Sequence, residues 1–194
     1  MKRIAYIIPG YGESHTRQRG YDALAEMFKA KGIVPVHIEI DWHGKKPSRF
    51  GEYAKQFLQQ YEKPRQTETY ILGFSFGAII ALISAKQAKP TNLILCSPSP
   101  FFTEDMKTFK PALRKWWKEN FVESDYSFDA IAPMIRQKTY VIVGDKEDVE
   151  CGKRARAAKR NIRNSQLVTA KGAKHNISQK EYLAAVWKVV SKLR

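Results

Sequence analysis

The stretch Thr69-Tyr70-Ile71-Leu72-Gly73-Phe74-Ser75-Phe76-Gly77-Ala78-Ile79-Ile80-Ala81-Leu82 constrains this chain more than any other. It opens as a β-rich apolar run and closes as a helix that is apolar nearly all round. Between the two lies Gly73-x-Ser75-x-Gly77, with no proline and no spare loop residue. A strand that turns straight into a helix here lifts the Ser75 hydroxyl above the sheet, an arrangement known as the nucleophile elbow. Glycines flank the serine because a strained serine backbone leaves no room for β-carbons on the neighbouring turns. The helix N-terminus points at Ser75, where its dipole favours developing negative charge. A small-residue turn that lets a buried helix pack on a sheet would read the same in isolation, so the rest of the chain has to decide.

That rest alternates strands and helices. Residues 4–8 form a continuous apolar run, as in a parallel strand covered on both faces, and Pro9-Gly10-Tyr11-Gly12 breaks it. A helix is predicted over 21–31, with Leu24, Met27 and Phe28 on one face and Gly32 as its stop. A strand follows at 33–40, a polar loop at 41–48, and a helix over 50–61 with a stripe from Phe50 to Tyr61. Further strands are predicted at 68–72, 92–96, 140–143 and 165–169, and helices at 152–162 and 179–193. Such alternation calls for right-handed crossovers and a three-layer α/β/α sandwich. The expected sheet has six mostly parallel strands in the order 2-1-3-4-5-6, with ligands outside the carboxyl ends near the reversal of order. Residues 1–194 are expected to form one α/β domain.

Residues 97–137 interrupt this rhythm as a small helical insertion after the fourth strand. Met106, Phe109, Leu113, Trp116, Trp117 and Phe121 recur there at helical spacing. Two readings stay open: a packing face, or a partial lid over 98–137 that walls a substrate cleft. Trp116 and Trp117 are about 100° apart on a helix, so one can pack on the body while the other lines the cleft. Both are candidate substrate-binding residues.

Composition removes several function classes. Hydrophobic residues make up 43% of the chain, which is enough for a globular core. Cys96 and Cys151 are the only cysteines and have no CxxC or Cys/His ligand spacing, which argues against a disulfide scaffold or a structural zinc site and suits a reducing, cytoplasmic setting. The apolar run after Met1-Lys2-Arg3 is too short for a signal peptide, and no run reaches membrane-span length. The net charge is +15, but the basic residues are dispersed. Lys153, Arg156, Arg160 and Arg163 are read as one helix face without interleaved aromatics, a weak nucleic-acid signal. His15, Arg17 and Arg19 read as a solvated loop.

A reactive serine needs a base, and the base needs an orienting acid. His175, in Lys171-Gly172-Ala173-Lys174-His175, is the one histidine downstream of Ser75. In Val143-Gly144-Asp145-Lys146-Glu147-Asp148-Val149, three carboxylates fall within four residues, and one of them is expected to orient His175.

With these residues in place, the chain resembles the α/β-hydrolase superfamily over essentially its whole length. The resemblance rests on Gly73-Phe74-Ser75-Phe76-Gly77, the acidic loop after Gly144, and Gly172-Ala173-Lys174-His175. Members commonly carry Gly-x-x-Asp in the acidic loop. Here Glu147 holds that place and Asp148 comes one step later, so the acid is one of Glu147 and Asp148. Members also carry a His-Gly pair after the first strand, where this chain has Pro9-Gly10. The resemblance implies oxyanion donors at the backbone N–H groups of Tyr11 and Phe76. It implies a serine hydrolase, esterase- or thioesterase-like, that acts on a small acyl substrate and needs no metal or cofactor. Two rivals are a catalytically inactive hydrolase-fold binding protein and a basic nucleic-acid binder.

Overall fold

A computed structural model of the protein describes residues 1–14, 19–44, 48–122 and 126–193. Six strands form one sheet: β1 (Lys2–Ile8), β2 (Val34–His37), β3 (Thr67–Phe74), β4 (Asn92–Cys96), β5 (Lys138–Gly144) and β6 (Ser165–Ala170). Their order is β2-β1-β3-β4-β5-β6, as expected. Every neighbouring pair is parallel, so the sheet is wholly rather than mostly parallel. The helices are α1 (Arg19–Ala30), α2 (Phe50–Gln60), α3 (Phe76–Ala88), α4 (Thr103–Met106), α5 (Pro111–Asn120), α6 (Phe128–Ile131), α7 (Val149–Asn161) and α8 (Lys180–Val190). A 3-10 turn, Ala132–Met134, follows α6.

Successive side chains on a strand point to opposite faces, and here both faces are apolar. Ile4, Tyr6, Ile8, Ile71, Leu93, Leu95, Val141 and Val143 pack on one side with α2, α3 and α7. Ala5, Ile7, Tyr70, Leu72, Ile94, Cys96, Tyr140 and Ile142 pack on the other with α1 and α8. The all-round apolar α3 is explained by this layering, because it is buried almost throughout its length.

Several boundaries differ from those the sequence suggests. The second strand ends at His37, not at Ile40. Beyond it, the N–H groups of Glu39 and Asp41 donate to the side chains of Gln60 and Gln56 on α2, which takes them out of the ladder. The apolar stripe of residues 106–121 is not one helix. It breaks between α4 and α5, with Pro111 starting α5, because proline suits a first helical position and not an interior one. Arg163 lies past the end of α7, so it does not share a helix face with Lys153, Arg156 and Arg160. Arg19 opens α1, while His15 and Arg17 lie outside the described residues. Among the described residues, no helix is long and apolar enough to cross a membrane.

Candidate active site

The strand order reverses at β1, which lies between β2 and β3. The register pairs Ile8 with Gly73, so the loop after β1 and the turn after β3 leave the carboxyl edge side by side. Ser75 sits in that second turn with φ 56° and ψ −115°, a region costly for a non-glycine residue. Its N–H donates to the carbonyl of Cys96 at 2.8 Å. The flanking glycines are a steric requirement. A β-carbon on Gly73 would lie 2.2 Å from the Gly77 oxygen, and one on Gly77 would lie 2.3 Å from the Ile8 oxygen.

Three further strand ends supply the neighbours of Ser75. His175 stands in the loop after β6, and its Nε2 is 3.0 Å from Ser75 Oγ. Its Nδ1 is 2.8 Å from Glu147 Oε2. The other oxygen of Glu147 accepts from Ser97 Oγ at 2.6 Å and from the Gly144 N–H at 2.5 Å, and its side chain is fully buried. The loops after β5 and β6 approach this closely because Gly144 has no side chain; a β-carbon there would meet the Ala173 oxygen at 2.2 Å.

The three carboxylates of the acidic loop therefore have separate placements. Glu147 meets His175. Asp145 accepts from the Gly172 N–H at 2.7 Å and ties the two loops together. Asp148 is exposed and heads α7, so of the two acids left open by the sequence it is not the one beside His175.

The loop after β1 carries Tyr11. The Gly10 N–H donates to the Tyr21 hydroxyl at 2.8 Å, and that hydroxyl donates to Glu13 Oε2 at 2.5 Å. Burial, followed by the charge of Glu13, pushes the Tyr21 phenol far above its ordinary value, so it remains a donor. Phe76 supplies the first N–H of α3, which has no acceptor one turn back.

Two hydroxyls escaped the sequence reading. Ser99, 4% exposed in the loop after β4, lies 3.0 Å from Ser75 through its Oγ. Ser97, with φ 46°, holds Glu147 and also meets the Tyr182 hydroxyl at 2.6 Å. A weak signal for both was available: they follow the carboxyl end of a strand.

The tryptophan pair divides. Trp117 is fully buried, stacked on Phe101 at 4.9 Å and Phe121 at 4.5 Å. With both ring faces taken by packing, it does not line a cleft, which corrects the expectation that it touches substrate. Trp116 is half-buried, with its ring 5.9 Å from that of Tyr11. Tyr11 in turn packs on Phe76 at 5.2 Å, so an aromatic wall runs from Trp116 to the residue after the serine. Arg114, Lys115 and Lys118 lie on another side of α5, around a surface cavity they share with Phe109 and Pro111.

No protein-family model matches the sequence, and no curated protein matches it. Solved structures match nearly the whole chain. Est1E from Butyrivibrio proteoclasticus, with ferulic acid bound, superposes with a TM-score of 0.78 at 16% identity, covering 98% of this chain and 87% of that one. Alpha/beta hydrolase domain-containing protein 10 from mouse gives 0.73 at 15% identity, covering 97% and 88%. The esterase EaEST from Exiguobacterium antarcticum gives 0.72 at 17% identity, covering 98% and 92%. Sheet order, elbow and superposition agree: the chain has the α/β-hydrolase fold.

Proposed function

We propose that the protein is a serine hydrolase that cleaves a carboxylic ester, thioester or amide through an acyl-enzyme on Ser75. The observation that carries this reading is the unbroken line from Glu147 Oε2 to His175 Nδ1 at 2.8 Å and from His175 Nε2 to Ser75 Oγ at 3.0 Å. With Nδ1–H donated to Glu147, the neutral imidazole presents a lone pair at Nε2. It takes the Ser75 proton as Oγ attacks the carbonyl, then gives that proton to the leaving group. Water, activated by the same nitrogen, hydrolyses the acyl-enzyme. The N–H groups of Tyr11 and Phe76 hold the oxyanion, and Gly10, Tyr21 and Glu13 fix the loop that aims the first of them. Trp116 offers an apolar wall to the acyl group. The likeness to the esterase EaEST favours an ester over the other two bonds.

One observation favours a second reading, a binding protein without activity: Ser75 is only 8% exposed and is hydrogen-bonded to Ser99. A fluorophosphonate probe separates the two. Labelling of the wild type, absent in Ser75→Ala and accompanied by turnover of p-nitrophenyl esters, is the expected result. An unlabelled, folded wild type would leave the binding reading.

A further inference from the structure

Cys151, in the first turn of α7, is used nowhere in the mechanism above, yet its Sγ lies 3.9 Å from His175 Nδ1. A carboxylate oxygen of Glu147, Cys151 Sγ and His175 Nδ1 all lie within 4.8 Å of one another. No local ligand spacing announces this group, because its members come from the loop after β5, the start of α7 and the loop after β6. Ligand atoms of a tetrahedral zinc ion, at about 2.0–2.3 Å from the metal, are roughly 3.3–3.6 Å apart. The pair at 3.9 Å must therefore close slightly and the His175–Glu147 pair at 2.8 Å must open slightly. Both are side-chain adjustments of less than about 1 Å on this reckoning. His175, with 36% of its side chain exposed, gives an ion access from solvent.

We propose that Glu147, Cys151 and His175 form a site for a thiophilic divalent cation of the zinc class, and that filling it switches off the chemistry of Ser75. The local field supports this. Three carboxylates, Glu147, Asp148 and Glu150, act electrostatically on the Cys151 sulfur. Those three carboxylates oppose a lone thiolate but attract a dication, and a coordinating thiol gives up its proton to the metal. The proton count is simple. The thiol releases one proton to solvent as the metal–sulfur bond forms. The imidazole stays neutral, and its proton moves from Nδ1, now bound to metal, to Nε2. An Nε2 that carries a proton donates to Ser75 Oγ and cannot accept from it, so the base is lost while its position is kept.

Binding stands on its own; the switching rests on the serine-hydrolase reading. Cobalt(II) is the probe for binding. The wild type should develop a thiolate-to-cobalt charge-transfer band that Cys151→Ser lacks and Cys96→Ala retains. Zinc should abolish p-nitrophenyl acetate hydrolysis by the wild type, with recovery on chelation. Cys151→Ser should hydrolyse at the wild-type rate and need at least about tenfold more zinc for inhibition. No band in the wild type, or an equal band in Cys151→Ser, overturns the site. A band with hydrolysis indifferent to zinc overturns the switch. Absence of hydrolysis without any metal counts against the hydrolase reading instead, and the cobalt band still judges the site.

Discussion

At the elbow, main-chain atoms set the geometry; in residues 97–137, aromatic rings do. Gly73 and Gly77 on either side of Ser75 admit no side chain, because a β-carbon on either would lie 2.2–2.3 Å from a backbone oxygen, and those oxygens belong to a central strand and the elbow itself. Nothing there can yield. The excursion is anchored by side chains: Trp117 stacks on Phe101 and Phe121 within it and on Phe50 of α2, and the buried Arg154 of α7 pairs with Asp105 and lies 4.1 Å from the Phe128 ring centre. Interdigitated rings can shift, and the Trp117 indole N–H finds no partner among the described residues. The lesson is that the same edge of a sheet can be built rigidly by main-chain contacts and adaptably by packed rings.

Four sets of variants test whether the elbow and the excursion differ in this way. The largest effect is expected at the acidic loop. Glu147→Gln should lower kcat by on the order of 10⁴, a magnitude taken from the serine-protease triad, while Asp148→Asn should change it little. Equal losses from both would mean that the contact with His175 is not what matters. Gly77→Ala comes next and should cost at least about 4 kcal/mol of stability in denaturant melts, the range reserved for severe backbone conflict. A folded, active Gly77→Ala would show the elbow to be as forgiving as the excursion. Trp117→Ala should cost about 3–4 kcal/mol of stability, with kcat/KM in the surviving folded protein falling equally for all acyl lengths. The smallest effect belongs to Trp116→Ala. It should leave stability nearly intact and raise KM for longer acyl esters relative to acetyl, by up to about 0.8 kcal/mol per methylene. A flat response across chain length would assign Trp116 to packing as well.

Sequence legibility followed the same divide. Strand–helix alternation predicts the sheet and its order, glycine spacing predicts the elbow, and the single downstream histidine is the expected base for Ser75; the described structure has that order and brings those two residues to 3.0 Å. The acid was narrowed to Glu147 or Asp148 and no further. Adjacent carboxylates on a turn point in different directions, and Glu147 is held beside the imidazole by the Gly144 N–H and by Ser97 Oγ from the end of another strand. Ser97 and Ser99 were silent because a buried hydroxyl in a loop leaves no pattern in sequence. Helix geometry separates Trp116 from Trp117, but which of them packs on the body depends on rings contributed by Phe50, Phe101 and Phe121.

Local rules account for the features legible along the chain: apolar runs of strand length, helices ended by glycine or proline, and a turn that admits only glycine around its serine. These depend on near neighbours in the chain, so they are written in order along it. Packing alone selects among groups that neighbouring sequence leaves equivalent: Glu147 over Asp148, Trp117 as core, and Cys151 at 3.9 Å from His175. Those depend on how loops from separate strand ends converge at one edge of the sheet, and convergence is a property of packing that no stretch of sequence carries alone.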